Sequence, residues 1–342
     1  MSLSIHPCTD NQQWTTFLDT QAPHTFLQSW EWKTVNESLG HKVIPLGVFE
    51  HENLVGAALT ICIKARRGSF LLVPHGPVYG ETSDAKTIWR LLTEEWRKLA
   101  KVQNTVCVRV CPLLTNDEAH QELLHARGFR AAPIHQHPEL AWMLDLTQTE
   151  DDLLKNARKT TRQSIRKAEE AGMTVEFYSD ATGLADFWKV YQTTFTRQQF
   201  TPFSRTYLQK ECDAFAETSH LLIAIGRIQG HIVSAAIVTL AHGSAFYHHG
   251  ASDQSHFPKV PAAHLLQWRI IQELKRRGCL LYNFWGVVPE TATKHPWYGL
   301  SVFKRGFGGH EEAYLHAQDL IFSPRYWMTW ILETLRRKWR GL

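Results

Sequence analysis

The chain has 342 residues and a mass of 39.4 kDa, a length that suits two compact domains better than one. Hydrophobic residues make up 44% and charged residues 20% of the chain, which excludes a disordered, collagen-like or coiled-coil protein. The net charge is only +4, no apolar run approaches the ~18 residues that span a bilayer, and the first residues show no signal-peptide pattern. Six cysteines without CxxC spacing predict neither a disulfide framework nor a structural zinc site. We therefore expect a cytoplasmic protein, at most peripheral at the inner face of the plasma membrane.

The predicted elements occur twice, in the same order. Each half has an apolar hairpin, then a helix with apolar residues at helical spacing, then a strand. In the first half these are 43–49 with 54–59, 85–101 and 105–110, and in the second they are 221–225 with 232–237, 262–277 and 280–285.

Pairs of segments in the two halves share one spacing. The strands that begin at Leu54 and Ile232 are near copies, LVGAAL and IVSAAI. Arg127-Gly-Phe recurs as Arg305-Gly-Phe, at the same separation along the chain as the two strands. A constant spacing of this kind indicates a duplicated domain. We place the boundary near 145–149, where a predicted strand over 140–146 ends and Thr149 begins a helix.

Positive charge is concentrated in two segments. Residues 155–170 hold six basic and two acidic side chains, and residues 325–342 hold five basic and one acidic. In the first segment we predict one continuous helix from Thr149, with an inward ridge of Leu154, Ala157, Thr161, Ile165 and Ala168. Its basic side chains then lie on the opposite side.

Short motifs along nearly the whole chain carry a family resemblance. They are QSWEW at 28–32, VPHGPV at 73–78, RVCP at 109–112, GF at 128–129, LDL at 144–146, SIRKA at 164–168, FTR at 195–197, YHHGAS at 247–252, LLQW at 265–268, YNFWG at 282–286 and FKRGFGG at 303–309. With these motifs, of which the last is the most specific, the chain resembles the Fem family of aminoacyl-tRNA-dependent transferases, which build the peptidoglycan cross-bridge.

The resemblance implies an α/β (α+β) protein of two tandem GNAT-like acyltransferase domains. Domain 1 would cover 1–147, with the C-terminal segment 318–342 returning to it, and domain 2 would cover 148–317 and carry the catalytic motif. The chain is similar to the compact branch of the family, because no heptad-bearing stretch between 175 and 309 could form a long helical arm.

The implied reaction is aminolysis of the ester that joins an amino acid to the tRNA 3′ end. Its oxyanion intermediate needs a fixed positive group or hydrogen-bond donor. Lys304, after Phe303, stands where the family places the lysine credited with that role. No cofactor beyond aminoacyl-tRNA as co-substrate is expected. The histidine pairs at 248–249 and at 135 and 137 lack metal-ligand spacing, so no metal site is predicted.

The resemblance also marks substrate-binding positions. Arg197 matches an arginine associated with the substrate diphosphate, and the alternative is a structural ion pair. Tyr247 matches a substrate-side tyrosine, and the alternative is packing on its own sheet. His249 replaces a second tyrosine of the compact relatives. The set is completed by Trp285, Phe303 and Lys33.

Two positions depart from the family pattern. Asn36 stands where the family has a lysine, although Lys33 is near, and Cys111 stands where an acidic residue is common. These losses weaken the case for UDP-MurNAc-pentapeptide as acceptor and favour a lipid-linked precursor such as lipid II.

The two basic segments suggest the remaining partners. We expect the acceptor stem of tRNA to contact the first segment, through Lys155, Arg158, Lys159, Arg162 and Arg166. The alternative is a solvated charged helix face. Residues 324–342 form an amphipathic pattern in which Met328, Ile331, Leu332, Leu335 and Trp339 share one face. That pattern suits either peripheral membrane contact or docking on the protein itself.

Two other functions stay open. An acyl-CoA-dependent N-acyltransferase shares the fold class, but the loop 257–262 before the second-half helix has two prolines and no glycine with which to cradle a pyrophosphate. A non-catalytic adaptor that binds RNA or membrane is favoured by Asn36 and Cys111 and opposed by the intact Phe303-Lys304 pair.

Overall fold

The computed structural model describes residues 3–65, 68–80, 83–198 and 201–340, excluding the side chains of 198 and 338–340. The strands are β1 (Leu3–Pro7), β2 (Lys42–Glu50), β3 (Asn53–Ile63), β4 (Phe70–Pro74), β5 (Val78–Tyr79), β6 (Cys107–Cys111), β7 (Arg130–Ala131), β8 (Leu140–Asp145), β9 (Thr174–Tyr178), β10 (Leu221–Ile228), β11 (His231–Ala241), β12 (Ser244–Ser252), β13 (Leu281–Gly286), β14 (His310–Ala313) and β15 (Gln318–Ile321). The helices are α1 (Asn11–Asp19), α2 (Trp30–Ser38), α3 (Ala85–Gln103), α4 (Glu118–His125), α5 (Glu150–Asn156), α6 (Lys159–Glu170), α7 (Leu184–Gln198), α8 (Arg205–Ala216), α9 (Ala262–Arg276), α10 (Tyr298–Arg305) and α11 (Tyr326–Arg340).

The chain forms two compact units, each built on one sheet. The first contains 1–140 and 313–342, and the second contains 141–312. The first sheet has the order β1-β2-β3-β4-β6-β15-β7 with β5 beside β3, and the second has the order β14-β8-β13-β12-β11-β10-β9. In both, an antiparallel meander leads through one helix to a parallel neighbour, β4 to β6 across α3 and β12 to β13 across α9. The predicted hairpins and both long helices are confirmed.

The duplication extends to an exchange of strands. β3 and β11 are both 11 residues long, and their starting points have the spacing of the sequence repeat. The same spacing separates the start of β8 from the start of β15. Yet β8 lies between β13 and β14 in the second sheet, whereas β15 lies between β6 and β7 in the first. The sequence placed the strand over 140–146 at the end of domain 1, which would end at 147. In the structure this strand belongs to the second sheet, because its backbone pairs with β13.

Each unit has its own core under a helix that follows the predicted periodicity. On α3 the inward side chains of Ile88, Trp89, Leu92 and Trp96 are fully buried. On α9 the corresponding side chains, Leu265, Ile270 and Leu274, pack with Phe284 and Phe307. Burial of a single large apolar side chain contributes ~2–3 kcal/mol, so these faces fix the helices on their sheets.

Buried charges anchor the C-terminal segment in the first unit. Arg109 on β6 binds Asp319 on β15 through two hydrogen bonds of 2.8 Å, and its Nη2 donates to Glu333 on α11 at 2.9 Å. The hydroxyl of Tyr326 also donates to Asp319 at 2.8 Å. Arg109 is far from both of its acidic partners in the sequence, so no local pattern predicted these contacts.

The helix predicted from Thr149 through the basic segment is wrong as a single element. It breaks at Ala157 and Arg158 into α5 and α6, because the Arg158 N–H donates to the carbonyl of Gly306 at 2.8 Å instead of continuing the helix. Four residues of the predicted inward ridge are buried, namely Ala157, Thr161, Ile165 and Ala168, whereas the fifth buried position is Leu153 in place of the expected Leu154. In the described ranges, no helix combines the length and apolar character that crossing a membrane requires.

Candidate active site

The second sheet opens where β12 and β13 diverge. Parallel pairing joins only residues 244–246 of β12 to 281–283 of β13, after which both strands continue without pairing to each other. At the end of β13, Trp285 has a φ of +68°, and its N–H donates to the Asn283 side chain at 2.7 Å. A non-glycine residue in this conformation stores strain, which is common at functional sites.

Lys304 lies at this opening on α10. The residue is 4% exposed, its Nζ donates to the carbonyl of Gly286 at 2.7 Å, and Nζ lies 5.9 Å from the ring centre of Tyr247. Burial lowers the pKa of Lys304 to about 7. Among the described residues, no carboxylate lies within ion-pair distance of it. The site therefore holds a buried amine whose charge is not neutralised by the protein.

The neighbouring cation has a different environment. Arg305 is equally buried, but it pairs with Glu311 at 2.7 Å, donates to the Val288 carbonyl at 2.8 Å and lies 5.3 Å from the ring of Trp142. Its charge is used to hold the structure together. Of the two adjacent buried cations, Lys304 is the one available to a substrate.

The glycines after this pair bring α10 against β8. Gly309 has a φ of +95°, and a Cβ at this position would lie 2.1 Å from the Met143 carbonyl oxygen. Gly308 has a φ of +83°, and its carbonyl accepts a hydrogen bond from the Trp142 indole at 2.6 Å. Only glycine allows this close approach, which explains the Gly-Gly step of the FKRGFGG motif.

Tyr247 and Phe303 surround the lysine. Burial raises the pKa of Tyr247 to about 12, so its phenol is neutral at physiological pH. Phe303 packs on His264 and Phe307, with ring centres 4.9 and 5.4 Å apart, and acts as a core residue beneath the site. Tyr247 is thus beside Lys304 as well as packed on its sheet, and the two sequence interpretations are not exclusive.

Arg197 lies at the end of α7, and its side chain is exposed. Its Nη2 donates to the Ser252 hydroxyl at the end of β12 at 3.0 Å. Within the part of the chain that the structure describes, no carboxylate lies within ion-pair distance of Arg197. The guanidinium keeps donors for an anionic group.

His249 is buried in a cluster that was not predicted from the sequence. Its Nε2 lies 3.0 Å from one carboxylate oxygen of Glu211, and Nδ1 of His248 lies 2.7 Å from the other. Glu211, on α8, has no exposed surface. The histidine pair was visible in the sequence, but nothing marked a glutamate on a separate, earlier helix as its partner.

The expected first-domain positions lie in the first unit. Lys33 pairs with Glu37 at 2.8 Å and lies over the Trp30 ring, while the buried Asn36 amide donates to the carbonyl of Trp32. Cys111 is buried, and burial raises the pKa of its thiol to about 12. These positions therefore present neither an unpaired lysine nor an acid.

The first basic segment is mostly at the surface. Lys155, Arg158, Lys159 and Arg166 are exposed. Arg162 is only half-buried and donates to the backbone carbonyls of Lys155, at 2.9 Å, and Ala157. Four of the five predicted RNA-contacting side chains face solvent, whereas Arg162 connects α5 to α6.

The C-terminal helix α11 exposes its apolar face. Met328, Ile331 and Leu335 are 54%, 52% and 58% exposed. The side opposite to them docks through Tyr326 and Glu333. Arginines 325, 336 and 337 are also exposed, and the predicted contribution of the Trp339 side chain lies outside the described residues.

Comparisons with known proteins give one family match for each part of the chain. The FemAB family model matches residues 9–127, and a GNAT acetyltransferase domain model matches residues 155–304. The FemAB match covers the first part of the chain, and the GNAT match covers the second part. No curated protein sequence matches it.

Several solved structures are similar to this chain and share its fold. The crystal structure of FemX has a TM-score of 0.83 at 17% identity, over 97% of this chain and 100% of that one. L-PGS from Bacillus licheniformis has a TM-score of 0.56 at 15% identity, over 95% and 96%. A tandem GNAT protein from the clavulanic acid biosynthesis pathway has a TM-score of 0.56 at 13% identity, over 94% and 99%. The predicted tandem GNAT-like fold is confirmed, and the two family matches support an acyltransferase.

Proposed function

We propose that this chain transfers an amino acid from aminoacyl-tRNA to the stem peptide of a peptidoglycan precursor. The observation that carries the proposal is Lys304, a buried amine without a carboxylate partner at the opening between β12 and β13, within the family's FKRGFGG motif. The FemAB family match over residues 9–127 supports the reaction class.

The proposed step is an aminolysis. The amine of the stem peptide attacks the ester carbonyl, a C–N bond forms and the C–O bond to the tRNA ribose breaks. The amine loses a proton and the ribose hydroxyl gains one. The ammonium of Lys304, held by the Gly286 carbonyl, stabilises the oxyanion of the intermediate. Because Lys304 is only 4% exposed, this interaction is stronger than it would be in solution.

A nucleic-acid donor agrees with the surface charges and with the loop before α9. Lys155, Arg158, Lys159 and Arg166 are exposed and suit phosphate contacts. In a CoA-binding GNAT domain, backbone N–H groups at the equivalent helix start bind the pyrophosphate. Here those of Val260, Ala262 and His264 donate to carbonyls within their own segment. A CoA donor is therefore disfavoured.

For the acceptor we favour a lipid-linked precursor. The exposed stripe of Met328, Ile331 and Leu335 lies on the same helix as the exposed Arg336 and Arg337, and the exposed Arg325 directly precedes that helix. This arrangement suits an anionic membrane surface. Asn36 and Cys111 leave the first unit without the charged pair expected for a soluble nucleotide precursor.

One assay tests the proposed reaction. The purified chain is incubated with radiolabelled aminoacyl-tRNAs and either lipid II or UDP-MurNAc-pentapeptide, with acetyl-CoA as the control donor. We expect transfer from one charged tRNA and a preference for lipid II, with loss of transfer in Lys304→Met and retention in Lys294→Met, an exposed lysine. Acetyl transfer alone, or no transfer with any charged tRNA, would overturn the proposal.

A vesicle assay tests the membrane contact. Truncation before α11 would also remove Tyr326 and Glu333, which bind Asp319 and Arg109, so substitution of the exposed face is the sharper test. We expect a triple serine variant at Met328, Ile331 and Leu335 to lose co-sedimentation with phosphatidylglycerol vesicles. The control is Val102→Ser, which changes another strongly exposed apolar side chain. Equal sedimentation of both variants would contradict the membrane contact.

A further inference from the structure

The cluster of Glu211, His248 and His249 is arranged as a ligand set. One oxygen of Glu211 and one ring nitrogen of each histidine lie within 4.8 Å of one another. All three residues belong to the second unit, and their side chains are 10% exposed or less. The sequence predicted no metal site because the histidine pair lacks metal-ligand spacing. In addition, adjacent histidines on a regular strand point to opposite faces.

A bulge in β12 removes that obstacle. The register with β11 shifts so that Ile237 pairs with His249 and Val238 pairs with Tyr247, which leaves His248 as the extra residue. Bulges of this kind redirect a side chain, and here both imidazoles reach the same carboxylate on α8. Two consecutive ligands and a distant third are thus brought together by a local irregularity of the sheet.

The Glu211 carboxylate is buried in largely apolar surroundings. Glu211 is completely buried, and its ion-pair contacts among the described residues are to these two histidines, with no lysine or arginine. The aromatic ring of Phe203 lies 5.3 Å from His249 and stacks on Tyr207 at 4.6 Å. A carboxylate in such apolar surroundings is stabilised strongly by a bound cation.

We propose that Glu211, His248 and His249 bind one divalent transition-metal ion, with Zn²⁺ as the best fit. Two imidazoles and one carboxylate form a common zinc donor set, whereas Mg²⁺ and Ca²⁺ prefer oxygen ligands alone. Ligand atoms that are each ~2.1 Å from a shared zinc ion lie ~3.5 Å from one another. The three ligand atoms of the cluster therefore need side-chain movements of only about 1 Å to bind one ion. The ion clamps the bulge of β12 to α8 and, through His248, supports Trp285, whose ring centre lies 5.6 Å from that imidazole.

The test measures metal bound to the full chain, purified without a histidine tag, stripped with chelator and reloaded with Zn²⁺. We expect about one ion per chain after desalting, and replacement by Co²⁺ to give the visible absorption bands of a low-coordinate imidazole site. Glu211→Gln and His249→Ala should each lower the bound metal at least tenfold. His256→Ala is the matched control, because His256 stacks on His231 and does not belong to the cluster of Glu211, His248 and His249.

The result that overturns the proposal is a wild-type chain that retains less than a tenth of an equivalent, or variants that bind as much metal as the control. The cluster would then be a hydrogen-bonded support alone. Circular dichroism checks that the variants fold. If one does not, the Co²⁺ spectrum of the wild type and a rise in its melting temperature with Zn²⁺ decide the question. Neither measurement uses transfer activity, so this proposal stands or fails separately from the proposed function.

Discussion

Replacement of Lys304 by methionine separates activity from stability. Burial lowers the pKa of Lys304 from its ordinary value of 10.5 to about 7, so a charged ammonium at this position costs on the order of 5 kcal/mol. Methionine has a similar length and removes that cost, although it leaves the Gly286 carbonyl without its donor, a loss of ~1–3 kcal/mol. We therefore expect Lys304→Met to have a free energy of unfolding ~2–4 kcal/mol higher than that of the wild type.

The same change should abolish transfer. Loss of one oxyanion donor lowers turnover by ~100-fold to 1,000-fold, and loss of a charged donor in a dry pocket at least as much. The assay compares aminoacyl transfer and urea unfolding in the wild type, Lys304→Met and the exposed control Lys294→Met. Near-normal turnover in Lys304→Met would refute the catalytic assignment. Lost turnover accompanied by a large loss of stability would show that Lys304 is structural.

The pH dependence of stability gives an independent check on the burial of Lys304. Between pH 7 and 10.5 the unfolded chain keeps this amine protonated while the folded chain does not, so the unfolded state binds more protons. The cost of burial is complete below the folded pKa and disappears as pH rises towards 10.5. The stability advantage of Lys304→Met over the wild type should therefore shrink with rising pH, and a constant advantage would contradict the lowered pKa.

Three further outcomes are expected. In profiles of kcat/KM against pH, the wild type should lose activity above about pH 7 as Lys304 deprotonates, and Lys304→Arg should not show this loss. The same loss in both proteins would assign the titration to another group. The double variant Arg158→Glu and Arg166→Glu should raise the KM for aminoacyl-tRNA and reduce the salt dependence of tRNA binding by about two ions. The effect on a short aminoacylated RNA end should be smaller. An unchanged salt dependence would show that this surface does not bind the tRNA. Asp319→Asn should destabilise the chain by ~3–5 kcal/mol in urea unfolding, because Arg109 stays buried with less compensation, and a loss below ~1 kcal/mol would show that Glu333 suffices.

Local patterns in the sequence determined most of the elements. The hairpins and the helices α3 and α9 were predicted because alternation and helical spacing are properties of neighbouring residues. The repeat was predicted because near copies share one spacing, and Lys304 because it stands in a specific motif. Each of these signals lies within one segment or in a comparison of two segments, and needs no knowledge of distant contacts.

Tertiary structure decided which residues meet. The Arg109–Asp319 pair, the Glu211 cluster and the break at Ala157 depend on partners in distant segments of the chain, which no local pattern records. Amphipathicity predicted α11 but not its orientation. The helix docks through hydrogen bonds to buried charges rather than through its apolar stripe, so Met328 and its neighbours remain exposed. The side of a helix that is buried depends on the groups that face it across the fold, and these groups are assembled only when the chain is folded.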